Sequence, residues 1–285
     1  MTIEAIFIPT VKRVDNQITY NHLPSELKKK VVFVVQKWER PQYQYDCNYV
    51  VLPEHLNLSD PLCMSKTREF IYEEGKDIKY CILDDDLKFK RRNSKRFNGT
   101  SDMEKSRRDS TDEDNLEMFS LFDDWLDVSN VSFCGPSQIQ NIPGTKPFSS
   151  NTSVSSGVWF NGPDFKDILD EIPKICRYGS DAFMFLGLLA RGYGNRVSEI
   201  FCFDNISLTG KLEENVWSDT KFNDVWESHK IINSHYPNFF KILLDENGDR
   251  VKGGFRNFGK VRTSWSEAYK QSQKRETTSL ENLFT

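Results

Sequence analysis

The sequence has no Cys-x-x-Cys pair, although it holds 6 cysteines. They stand at positions 47, 63, 81, 134, 176 and 202, too scattered for the ligand spacing of a zinc site. Cys81 and Cys202 sit inside apolar runs, where a thiol behaves as a small hydrophobe. All six are expected to be reduced and structural. No run of 18 apolar residues occurs, so no membrane-spanning helix is expected. The opening Met1-Thr2-Ile3-Glu4-Ala5 lacks the basic-then-apolar layout of a signal peptide, which makes a cytoplasmic location the expectation. No internal repeat is visible. The segment after the first strand-like stretch, Pro9-Thr10-Val11-Lys12-Arg13, has no glycine, which argues against a nucleotidyltransferase with its glycine-rich loop there.

What is present suits an α/β protein. The chain has 285 residues, 38% hydrophobic, with 21 Phe, 10 Tyr and 6 Trp, enough for a sizeable core. Strand-like runs are expected at Ala5 to Ile8, Val31 to Val35, Tyr49 to Leu52 and Lys79 to Leu83. A short helix is expected near Pro24. A longer one, capped by Ser65 and closed by Gly75, spans 65–75. This alternation argues a mainly parallel sheet with helices on both faces and ligands at the carboxyl ends of the strands. Further on, a flexible polar loop is expected over about 90–114 and a helix from Leu116 to Leu126. Strands are expected at Val131 to Phe133, Val154 to Phe160 and Ile200 to Phe203, with a helix from Asp181 to Ala190. The expected organisation is one domain over 1–245 and a basic C-terminal extension over 246–285, its last ~15 residues frayed.

Net charge is −4, but it is distributed in blocks. Lys88 to Arg108 holds nine Lys/Arg and two acids, Asp109 to Asp127 eight acids and no base, and Arg250 to Arg275 eight bases and one acid. Such tracts are either solvated loops or contacts to a polyanion.

Two segments carry chemistry. Cys81-Ile82-Leu83-Asp84-Asp85-Asp86 puts three acids at the end of an apolar strand. Like charges this close oppose each other's ionisation, a penalty that a divalent cation removes. On an extended chain the first and third acids share a side, so Asp84 and Asp86 are candidate ligands of Mn²⁺ or Mg²⁺ while Asp85 points elsewhere. A plain acidic turn is the alternative. In Gly179-Ser180-Asp181 followed by an apolar helix and Arg191-Gly192-Tyr193, Asp181 is either a helix-capping residue or a base for an acceptor hydroxyl.

The order of these elements resembles the GT-A glycosyltransferase fold over roughly residues 5–205. The Ile-Pro-Thr-Val-Lys-Arg opening, the Lys-Thr-Arg helix and the Asp triplet are most similar to phage DNA-modifying members associated with TET/JBP-type base hydroxylases. The resemblance implies a UDP-sugar (nucleotide diphosphate sugar) donor and a hydroxymethylpyrimidine acceptor in DNA, in the host cytoplasm. It implies that Pro9, Thr10 and Arg13 lie against the nucleobase and ribose, and that Lys66 and Arg68 face the diphosphate or ribose. Asp84, Asp85 and Asp86 would form the donor and metal site, and Asp181 would be the catalytic base or an acceptor-orienting acid. His235 is a candidate further metal ligand, with His229 in reserve. Many members carry Glu-Asp where this chain has Ser180-Asp181. Lys90, Arg91, Arg92, Lys95 and Arg96, with Arg256, Lys260 and Arg262 interleaved with Phe255 and Phe258, would meet the DNA backbone and an extruded base. A glycan-directed GT-A enzyme and a non-enzymatic DNA-binding protein remain alternatives. The sequence names neither the sugar nor the stereochemical course.

Overall fold

The apolar run Val31-Val32-Phe33-Val34-Val35 has no polar face to turn to water, and it forms an inner strand of the main sheet. The structure is a computed structural model that describes residues 1–56, 63–92, 107–139, 146–165, 180–206, 220–249, 251 and 260–273. Its elements are β1 (Ala5–Pro9), α1 (Ile18–Asn21), α2 (Ser25–Lys28), β2 (Val31–Val35), β3 (Asn48–Val51), α3 (Cys63–Gly75), β4 (Lys79–Leu83), β5 (Leu87–Arg92) and β6 (Arg107–Asp109). There follow α4 (Asp112–Leu126), β7 (Val131–Gln138), β8 (Phe148–Ser150), β9 (Gly157–Asn161), α5 (Ser180–Ala190), β10 (Gly194–Asn205), α6 (Thr220–His235), β11 (Phe240–Ile242) and β12 (Val261–Thr263).

Among the described residues the main sheet has the order β3-β2-β1-β4-β9-β7-β10-β5-β6, with β8 pairing β10. The first four strands are parallel, so β3, β2, β1 and β4 all end on one edge. β9 then runs antiparallel between β4 and β7. Alternate side chains feed two cores. Ala5 and Phe7 join Tyr72, Phe185 and Leu188 on the face covered by α3 and α5. Ile6 and Ile8 join Tyr20, Leu27, Phe119 and Phe122 on the face covered by α1, α2 and α4. This is the mainly parallel α/β sheet that the alternation of elements predicts.

Several expectations change. The span 90–114 is not one loop in its described parts: β5 runs to Arg92, β6 pairs with it, and α4 begins at Asp112. Thr111 and Asp114 form a reciprocal capping box, a signal that starts the helix four residues before Leu116. Helix α3 begins at Cys63, leaving Ser65 buried inside it rather than capping it. Gly194 opens β10, where residues 194–198 pair with β7. The expected boundary at 245/246 falls inside the β11–β12 hairpin, where Leu243 N–H reaches the Lys260 carbonyl. A last helix over 265–273 packs Ala268 and Tyr269 against the α3/α5 core. Most of the last ~15 residues lie outside the described residues. Of the cysteines, 47, 63, 81, 134 and 202 are free thiols, as expected.

Candidate active site

The segment after β4 is held by its backbone. The Thr19 hydroxyl donates to the Asp84 carbonyl at 2.5 Å and accepts from the Leu87 N–H at 2.8 Å. Thr19 N–H donates to the Asp85 carbonyl, Ile206 N–H to the Asp86 carbonyl, and Asp84 N–H to the Ser156 carbonyl. With every triplet carbonyl satisfied, the three carboxylates project from a fixed frame.

Each carboxylate then finds a different environment. Asp84 lies 3.3 Å from the Arg68 guanidinium, which reaches across from α3. Arg68 also lies 3.2 Å from the Asp181 carboxylate at the start of α5, an ion pair without hydrogen-bond alignment. One cation therefore joins the triplet to the candidate base, and Asp181 turns toward it from the first turn of its helix. Burial opposes the charge on Arg68, but Asp181 and Asp84 outweigh it and raise its pKa. Asp85 accepts from the Thr10 hydroxyl at 2.6 Å and from Arg13 at 2.5 Å. Asp86 lies 3.5 Å from Arg13. Asp85 and Asp86 thus share Arg13, and Asp85 also anchors the loop after β1 through Thr10, whereas Asp84 faces Arg68.

Burial pushes Asp84 up to about 6, against the lowering influence of Arg68, with Asp86 and Asp181 adding to the rise. Asp84 keeps 30% of its side-chain surface, so it can reach a ligand from solvent. Burial likewise pushes Asp85 up to about 7 against Arg13 and Thr10. Both shifts express burial first, with the neighbouring acids adding to it. Asp84 and Asp86 offer the hard oxygens that Mn²⁺ or Mg²⁺ prefers, and such ions complete their shells with substrate phosphates and water. The donor chemistry therefore fits a metal–diphosphate site.

The loop from Thr10 to Asn16 is fixed from beneath by residues that the sequence did not single out. Gln17 is fully buried and donates to the Thr10 hydroxyl at 2.8 Å and to the Arg13 carbonyl at 2.9 Å. The buried Glu39 carboxylate accepts the Lys12 N–H. Lys12 has φ +57°, a left-handed backbone that a lysine adopts only under constraint. Pro9 ends β1 directly before this loop. Lys66 is half-buried on α3.

The histidines do not join this site. His235 ends α6 with its ring 5.0 Å from that of Phe183, and His229 packs 5.6 Å from Phe240. Among the described residues no three His, Cys, Asp or Glu side chains converge as metal ligands. A histidine late in the chain is therefore not brought to Asp84 and Asp86, because α6 carries both rings into aromatic contacts.

The basic tract is also redistributed. Arg92 is buried, donating to the Ser137 hydroxyl at 2.7 Å, the Gln138 carbonyl at 3.0 Å and the Glu199 carbonyl at 3.2 Å, which makes it an interior tie between β5, β7 and β10. Its placement on the DNA surface is corrected, because a side chain 3% exposed has no face to offer a phosphate. Arg91 pairs with Asp114 at 2.9 Å and with Glu117, and Lys90 pairs with Asp109 at 2.5 Å. The acidic block that follows the basic one is thus its partner, through β5–β6 pairing and the start of α4. Lys260 and Arg262 are exposed on the hairpin, with the exposed Lys241 opposite Arg262. Lys95, Arg96 and Arg256 lie outside the described residues.

The parallel part of the sheet gathers at its carboxyl edge the acid triplet, the β1 loop and an arginine shared with a second acid. Residues 4–161, from β1 through β9, match the model of the TET-associated glycosyltransferase family, and the chain belongs to that family. Asp181 and His235 lie beyond the matched residues. Among solved structures the chain is similar to S. aureus TarS 1-349, at 13% identity and a TM-score of 0.44, covering 84% of this chain and 66% of that one. It is also similar to S. aureus TarS 1-349 in complex with UDP, at 10% identity and a TM-score of 0.42, covering 83% of this chain and 72% of that one. No curated protein matches. Among the described residues no helix is long and apolar enough to cross a membrane.

Proposed function

We propose that the protein transfers a sugar from a UDP-sugar to the hydroxyl of a hydroxymethylpyrimidine (5-hydroxymethylcytosine-type) base in DNA. The observation that carries this reading is Arg68, held between Asp84 at 3.3 Å and Asp181 at 3.2 Å. It sets a diphosphate-binding acid and an acid for the acceptor hydroxyl on either side of one cation.

In this reading Asp84 and Asp86 hold Mn²⁺ or Mg²⁺, which supplies charge neutralisation for the departing diphosphate. Thr10 and Arg13 border the nucleoside, and Arg68 with Lys66 adds positive charge to the diphosphate. The acceptor oxygen forms its bond to the anomeric carbon as the bond from that carbon to the diphosphate breaks. Asp181 takes the hydroxyl proton in an inverting reaction, or orients the acceptor in a retaining one. Family membership supports a hydroxyl made by a base hydroxylase as acceptor. The exposed Lys241, Lys260 and Arg262 support a polyanion on the hairpin side. Turnover with UDP-sugars and Mn²⁺ on DNA with and without hydroxymethylcytosine tests this. UDP release confined to the hydroxymethylated DNA is expected. UDP release with a glycan acceptor and none with that DNA would replace the acceptor.

A further inference from the structure

We infer that Trp38 is the stacking platform for the nucleobase of the donor, an inference that rests on the donor reading above. The chain buries its large aromatic side chains wherever the described core reaches them, yet Trp38 keeps 51% of its surface. Its neighbours show that this exposure is imposed. Gln36, two residues earlier, is buried and donates from its side chain to the Leu56 carbonyl at 3.1 Å. Glu39, the next residue, is buried and accepts the Lys12 N–H from the loop after β1. The Glu39 and Arg40 N–H groups close back on the Gln36 carbonyl, each at 3.1 Å. Lys37 pairs with Glu54 and joins this turn to the segment after β3. Trp38 thus stands on a turn anchored on both sides, so holding it in place for a ligand costs little ordering entropy.

Its position identifies the ligand. β2, β1 and β4 are adjacent and parallel, and the diphosphate end of the donor belongs to Asp84 and Asp86 after β4. The end of β2 is two strand spacings from the end of β4, ~10 Å at the usual spacing. A nucleoside diphosphate laid along this edge crosses the Thr10–Arg13 loop with its ribose and brings its base over the turn after β2. The acceptor hydroxyl must instead reach the sugar beside Asp181, which Arg68 joins to Asp84. A flat heteroaromatic ring over an exposed indole is a favourable and largely base-independent contact.

The test is calorimetric titration of UDP and of pyrophosphate, with Mn²⁺ present, into the unmodified chain, Trp38→Ala and Trp38→Phe. Trp38→Ala should weaken UDP about tenfold and leave pyrophosphate unchanged, while Trp38→Phe stays within about threefold. UDP should also quench tryptophan fluorescence in the unmodified chain, and Trp38→Phe should lose most of that quench while still binding. Equal UDP affinity in the unmodified chain and Trp38→Ala would overturn the inference. So would a loss seen only in the KM for DNA, which would assign the platform to the acceptor. An unmodified chain that binds neither UDP nor any other nucleoside diphosphate would remove the donor reading itself and this inference with it.

Discussion

The Asp85 carboxylate accepts the Thr10 hydroxyl at 2.6 Å, tying the end of β4 to the loop after β1. Arg13 meets the same carboxylate at 2.5 Å, with both ionic side chains largely buried. Asp85→Ala would remove the acceptor of the Thr10 hydroxyl and leave Arg13 with Asp86 alone, so a loss of about 1–3 kcal/mol is expected. Urea denaturation at neutral pH measures it. A loss under ~0.5 kcal/mol would mean that the tie is incidental.

Thr19 tests the backbone frame of the triplet. It is fully buried, and its hydroxyl satisfies both the Asp84 carbonyl and the Leu87 N–H. Thr19→Val keeps the shape and removes both bonds, with an expected loss of roughly 2–4 kcal/mol from two unpaired groups. Donor turnover should fall more than acceptor binding, since the carboxylates lose their fixed aim. Unchanged kinetics together with unchanged stability would show that the frame does not depend on Thr19.

The acid range tests the α4 start. Burial opposes ionisation of Asp114, but hydrogen bonds from Arg108, the Thr111 N–H and Arg91 outweigh it and hold its carboxyl well below the usual range. A depressed carboxylate contributes stability that is fully present above the unfolded value, about 3.9, and is lost as pH falls toward the folded one. Asp114→Asn should therefore be about 2 kcal/mol less stable at pH 7, and the gap should narrow below about pH 4. Urea midpoints from pH 3 to pH 7 read this directly. A gap independent of pH would assign the effect to packing.

Arg91 separates structure from nucleic-acid binding. Its side chain is spent on Asp114 and Glu117. Arg91→Ala is expected to lower stability by about 1–2 kcal/mol and to leave the salt slope of DNA binding unchanged. Arg262→Ala on the exposed hairpin should reduce that slope by about one unit. The reverse pattern would return the DNA contact to β5.

The parallel half of the fold was legible because its strands are apolar runs ending in Pro9, Gln36, Pro53 and Asp84, and periodicity reads such runs directly. The triplet was legible as chemistry for the same reason: acids abruptly follow a buried strand. The supports of the site were not. Thr19, Gln17 and Glu39 act through contacts 4 to 68 residues away in sequence, and no local pattern marks a polar side chain that will be buried by a distant turn. The basic tract misled for a related reason. A run of cations reads as a surface until strand pairing and a capping box bring the following acids against it, as Asp109, Asp114 and Glu117 are brought here. His235 was placed by resemblance alone, and the packing of α6 against Phe183 decided otherwise.

The most direct test of the site is UDP binding with and without Mn²⁺ in the unmodified chain, Asp84→Asn and Asp86→Asn. Mn²⁺ should tighten UDP binding at least tenfold in the unmodified chain, and each substitution should abolish that gain while the fold, read by circular dichroism, is retained. UDP binding that is equally tight in all three proteins and indifferent to Mn²⁺ would contradict a metal–diphosphate site at Asp84 and Asp86.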